Sequence, residues 1–193
     1  MKHRILTTVL LLVSALVATP IKAENPSQLS QFQTTRGCYR CDLTRADFRK
    51  ALLSSVDLRH ADLMRTNFES ANLSGAYLTR ANLSGASLSG ADLSNALLWG
   101  ANLREANLVS ANLRSANLTE VALNGADLSG ADLSGANLNK VNFRGATWNG
   151  ANFSNADLRN ADIGKLKLKD VLLCNTILPG GKVSNQNCVL PKK

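Results

Sequence analysis

Histidine is nearly missing from this chain: His3 and His60 are the only two among 193 residues. With so few, the commonest general base, proton shuttle and metal ligand is unavailable over almost the whole length. Aromatic residues are also scarce, at 5%, and few stand among the basic positions, so a nucleic-acid groove of stacked bases has little to stand on. No cysteine lies between Cys41 and Cys174. Neither a glycine-rich phosphate loop, a nucleophile paired with a base, nor a cluster at metal-ligand spacing can be found. These absences argue against an enzyme and against any cofactor or bound metal.

Long apolar runs are missing too. The longest, Ile5 to Ala18, follows Lys2 and Arg4 and is too short to span a bilayer; Ile21-Lys22-Ala23 offers a small-residue cleavage site before Glu24. Residues 1–23 therefore read as a secretory signal, with no cysteine at the end of the run to carry an acyl chain. Removing them takes away Lys2, Arg4 and Lys22 and no acid, which lowers the formal net charge from +8 to +5. No stable membrane anchor is expected after cleavage.

What fills the rest is one pattern. From Cys41 to Leu178 a large apolar residue returns at every fifth position, as in Ala71-Asn72-Leu73-Ser74-Gly75, Ala81-Asn82-Leu83-Ser84-Gly85 and Ala91-Asp92-Leu93-Ser94-Asn95. Centres fall from Leu43 through Phe48 and Leu53 to Leu178, 28 consecutive units. Two residues earlier the side chain is small, with Val56, Thr66, Val121, Val141, Leu166, Val171 and Thr176 as exceptions. A period of five fits neither the 3.6 of a helix nor the 2.0 of a strand, so the chain must turn in every unit and stack like positions in a solenoid.

Tandem A-(N/D)-L-x-x resembles the pentapeptide-repeat family. The resemblance implies an all-β fold: a right-handed quadrilateral parallel β-helix with four units, or twenty residues, per coil and about seven coils. Centres and small residues would point inward, and Ala101→Leu should overpack the core. At a coil spacing of roughly 4.8 Å the rod is on the order of 30 Å tall and too narrow to hold a ligand. Function must sit on its outside or ends. Residues 24–40 read as a helical cap, from Asn25-Pro26 at its start, Leu29 and Phe32 on one face and Gly37 as a stop. Residues 41–178 form the solenoid and 179–193 a tail opened by Pro179-Gly180-Gly181.

In a twenty-residue register Phe48 and Phe68 stack. Outward corners after two of the four sides collect Arg59, Arg65, Arg80, Arg104 and Arg144, a candidate basic edge for an anionic partner. On side four, Tyr77 and Leu97 replace the usual outward Asn or Asp, and Trp99 follows Leu98. These three converge across neighbouring coils as a candidate partner-binding patch. The frame places both Cys38 and Cys41 facing the first coil's interior. Because the rod separates the ends by far more than the roughly 7 Å a disulfide spans, only Cys38–Cys41 and Cys174–Cys188 can pair. Paired cysteines with an export signal indicate an oxidising compartment, a periplasm or, since exported members with such cysteines resemble cyanobacterial ones, a thylakoid lumen. Members that resemble DNA and act on gyrase are cytosolic; a basic exported chain does not fit that role. The expected function is a non-catalytic exported scaffold for an unidentified protein partner, as a monomer or weak end-to-end oligomer. The alternative is a redox-responsive protein using Cys38 and Cys41.

Overall fold

The computed structural model describes Phe32, Thr35, residues 37–165 and residues 167–188. The signal sequence expected over 1–23, most of the expected cap and the last residues of the tail lie outside these. Over the described residues the chain forms a parallel β-helix: every outward middle residue but Thr147 pairs with the one twenty positions on, in parallel, from Gly37 with Asp57 to Asp157 with Ile177. Four such pairings per twenty residues make a coil of four short sides.

The unit 61–65 shows why the pattern takes this form. The Asp62 N–H donates to the Cys41 carbonyl in the coil before (2.7 Å), and the Leu63 N–H to the Asn82 carbonyl in the coil after (2.7 Å). The Arg65 N–H reaches the Ser84 carbonyl (3.0 Å), and the Ala61 N–H closes a turn onto the Leu58 carbonyl (3.2 Å). That leaves the Met64 N–H, which donates to the Asp62 carboxylate at 3.1 Å. All five amides are thus satisfied, as a chain that turns every five residues requires. The recurring Asn or Asp is a backbone cap, an Asx turn repeated along the rod. The unit's last residue must take a left-handed conformation, as Arg65 (φ 54°) and Gly75 (φ 64°) do, which accounts for the glycines and asparagines there.

Inside, the centres and small residues form one continuous buried core from Phe32 to Leu173. Phe48 and Phe68 stack nearly parallel at 5.3 Å, and Phe32 meets Phe48 edge-on at 5.2 Å over the first coil. Two threonines at the small position are accommodated without an unpaired hydroxyl: Thr66 donates to the Leu43 carbonyl (2.9 Å) and Thr176 to the Phe153 carbonyl (2.6 Å).

The run of 28 units read from the sequence does not continue unbroken in space. Trp148, a buried centre, fills its coil together with Phe143 (5.2 Å) and Phe153 (5.3 Å). The facing segment of the next coil departs from the ladder: Thr147 has no bridge partner twenty residues on, Leu168–Asp170 form a 3-10 turn, and the Trp148 indole donates to the Lys167 carbonyl at 3.2 Å. The register recovers at once, with Asn152 opposite Leu172, so the bulge rotates no later side. The final centre, Leu178, belongs to a hairpin instead. Strand β1 (Thr176–Ile177) pairs antiparallel with β2 (Val183–Ser184) across the Pro179-Gly180-Gly181 turn.

Candidate interaction surface

Among the described residues no three His, Cys, Asp or Glu side chains gather at metal-binding distance, and no helix is long and apolar enough to cross a membrane. The apolar centres and small residues fill the interior, so polar and reactive side chains are presented on the surface. Tyr77 and Leu97 occupy the bridge positions of adjacent coils on side four and pair directly with each other. They are 42% and 40% exposed, and Leu52, at the same repeat position on side three, is 55% exposed but stands without an apolar bridge partner, since it faces Asn72. Neither Tyr77 nor Leu97 can accept a hydrogen bond from the residue two positions on, so the Asx turn is forfeited at Thr79 and Trp99. One corner away the Arg80 guanidinium lies over the Trp99 ring, 4.6 Å from its centroid. Beneath the exposed guanidinium Trp99 is half-buried.

The same corner continues toward the first coil through residues that sequence reasoning passed over. Tyr39 is 52% exposed and meets His60 edge-on at 5.4 Å. Arg40 (5.3 Å) and Arg59 (5.9 Å) both approach its ring. The twenty-residue register carried the signal: 39, 59, 79 and 99 are one position in successive coils. Tyr39, Arg59, Tyr77, Arg80, Leu97 and Trp99 thus make one aromatic and cationic strip along side four and its corner.

Arg65, Arg104 and Arg144 lie outside it, and ion pairing separates the basic residues further. Arg59 is held by Asp57 of its own unit through a forked pair (2.7 and 2.9 Å), which keeps the Asp57 carboxyl below its ordinary range. Arg144 is paired with Asp162 of the next coil at 2.7 Å. Arg65 lies on the following corner, in a shallow cleft bounded by Thr44, Met64, Ser84, Gly85 and Glu105; Arg104 is exposed further along. Arg65, Arg80 and Arg104 enter no ion pair among the described residues. Ion pairing thus divides the expected basic edge, because Asp and Glu recur in the same five-residue frame as the arginines. Cys38 and Cys41 are both buried, with Cα atoms 5.5 Å apart, and Cys174 and Cys188 stand 5.0 Å apart; both pairs are at disulfide-bonding distance.

The model of pentapeptide repeats matches in eight copies over residues 38–69, 61–100, 100–135 and 136–173. No curated protein matches the sequence significantly. Among solved structures, a pentapeptide repeat protein from the Arabidopsis thaliana thylakoid lumen is 33% identical over 51% of this chain and 66% of its own, just under two thirds, with a TM-score of 0.43. QnrB1, a plasmid-mediated fluoroquinolone resistance protein, is 25% identical over 75% of this chain and 82% of its own, with a TM-score of 0.56. Rfr23, a pentapeptide repeat protein from the cyanobacterium Cyanothece, is 28% identical over 68% and 97%, with a TM-score of 0.47. With eight repeat copies matched across most of its length and a ladder that closes every twenty residues, the chain belongs to the pentapeptide-repeat family.

Proposed function

We propose that this chain is a non-catalytic, exported scaffold: a right-handed quadrilateral β-helix, capped at its first coil by a short helix, that presents the side-four strip to a protein partner. The observation that carries the reading is the pair Tyr77 and Leu97, exposed at two adjacent positions of a side that from Asp57 to Asp157 otherwise carries a turn-capping Asn or Asp. Each gives up a backbone hydrogen bond worth about 0.5–1.5 kcal/mol. A fold that forfeits stability to expose apolar surface fits a binding role better than a structural one. Trp99 under Arg80, and Tyr39 with Arg59, extend the patch with side chain types that dominate binding energy at interfaces. Export is supported by the apolar run and small-residue site at residues 5–23 and by the two cysteine pairs at bonding distance. The buried, mutually facing Cys38 and Cys41 fit a fastening of the first coil better than an accessible redox pair.

The test is in-cell crosslinking of the parent beside Tyr77→Asn, Leu97→Asn, Trp99→Ser. Since both asparagines restore the turn cap, this variant should melt no lower than the parent, and loss of captured partner then reports on binding alone. Capture unchanged in the variant would remove side four as the site.

A further inference from the structure

The net charge of this protein is not spread along the rod. Residues 37–163 carry 12 Lys or Arg and 12 Asp or Glu, and so are formally neutral, as are residues 24–36, with Glu24 and Arg36. Residues 164–193 carry six cations against the single acid Asp170. The whole +5 that remains beyond residue 23 therefore belongs to the last thirty residues. The kind of cation changes as well: ten of the twelve in the coils are arginine, whereas all six at the end are lysine.

The structure shows how that charge is displayed. Lys165, Lys167 and Lys169 alternate along the segment that leaves the ladder opposite Trp148, and all three are exposed while Leu168 between them packs on the core. Lys182 is exposed in the closing hairpin beside Val183, which is itself 58% exposed. Only one of these four lysines meets a carboxylate among the described residues, Lys169 with Asp170 at 3.6 Å. The nearby Asp162 is taken by Arg144. The Cys174–Cys188 pair and the Asn187 amide, which donates to the Lys169 (2.8 Å) and Val171 (2.9 Å) carbonyls, fasten hairpin and lysine segment to each other.

We infer that the C-terminal end of the rod is a docking face for an anionic phospholipid surface, engaged reversibly and end-on. Lysine is a hydrated point charge on a flexible stem, suited to a diffuse layer of headgroup charge, whereas arginine's rigid fork suits a defined carboxylate of a folded partner. One exposed valine among lysines adds the shallow apolar contact that such surfaces accept. End-on docking leaves the side-four strip, from Tyr39 to Trp99 in the first half of the rod, free in the aqueous phase.

The test is co-sedimentation of the full chain with vesicles of phosphatidylcholine alone and of phosphatidylcholine with one quarter phosphatidylglycerol, read as the ratio of the two partition coefficients. The ratio cancels the neutral-lipid affinity of the apolar run near residue 5. The parent should favour anionic vesicles, and Lys165→Gln, Lys167→Gln, Lys169→Gln should lower the ratio on the order of fivefold per lysine at low salt. A matched loss of three charges in the coils, Arg65→Gln, Arg80→Gln, Arg104→Gln, should leave the ratio nearly unchanged. Equal losses in the two variants would reduce the effect to general electrostatics and overturn the assignment. So would a parent with no preference for anionic vesicles, including one that is retained on immobilised polyglutamate instead, which would mark the end as a site for an acidic protein.

Discussion

Between residues 37 and 163 the chain closes its backbone by repetition, whereas from residue 164 onward single side chains do that work. In the coils most units reuse the same five hydrogen bonds, and many cations pair with acids of their own or an adjacent coil, as Arg59 does with Asp57 and Lys140 with Glu120. At the end, Gln186 donates to the Leu168 carbonyl, Asn187 to those of Lys169 and Val171, and a cysteine pair replaces the next coil. A solenoid coil is stable because it has neighbours on both faces. The last coil has one, so its open face must be closed by residues that belong to no repeat.

Four changes sharpen this contrast. The largest effect is expected from hollowing the middle of the rod: Leu108→Ala, at a fully buried centre, should cost about 2–5 kcal/mol in chemical denaturation. Because coils support each other only through neighbours, amide exchange should rise there and fall off in both directions. Opening the closure with Cys188→Ser releases a link of sequence separation 14, for a loss of about 3 kcal/mol in the chain-entropy model. Here fast exchange should be confined to residues 167–184, and a uniform rise along the rod would show that the closure holds more than its own coil. A smaller effect tests the outward ladder. On side three Asp92, Asn112, Asp132 and Asn152 alternate, with the Asn112 amide donating to Asp92 (2.9 Å) and that of Asn152 to Asp132 (3.1 Å). Asn112→Asp would stack three carboxylates in consecutive coils and should lower stability by roughly 0.2–1 kcal/mol at neutral pH, with the deficit vanishing in acid.

The mildest perturbation is acid itself. Asp57 and Asp157 are held below their ordinary range first by the guanidinium forks of Arg59 and Arg159, and Asp127 by the hydroxyl and amide of Ser129. A depressed carboxyl contributes stability that is complete above its unfolded value of about 3.9 and is lost as pH falls through the lower folded value. The melting temperature should hold flat from neutral pH to about 4 and then decline. A decline beginning near pH 6 would point to groups other than these aspartates.

Much of this was legible from residues alone because the repeat has a period that only one kind of stacking satisfies. The inward positions, the Phe48–Phe68 stack and the convergence of Tyr77, Leu97 and Trp99 follow from counting in twenties. Tyr39 escaped because it stands before the regular pattern begins, although the same count places it in line with Arg59 and Trp99. The basic edge was overdrawn because a sequence count of arginines does not show which aspartate each one meets: Arg144 finds Asp162 in the next coil, eighteen residues on.

The sequence by itself determined the coil length, the buried face and the segregation of charge, since all three are fixed by which residue types recur at which interval. Tertiary structure alone decided where the repetition stops. Trp148 is a legitimate centre by pattern, but its volume and its indole N–H draw the Lys167 carbonyl out of the ladder, and the closure at Leu168 and Leu178 follows from packing against an open end. Volume and an unpaired edge act across coils, and a period read along the chain carries no information about either.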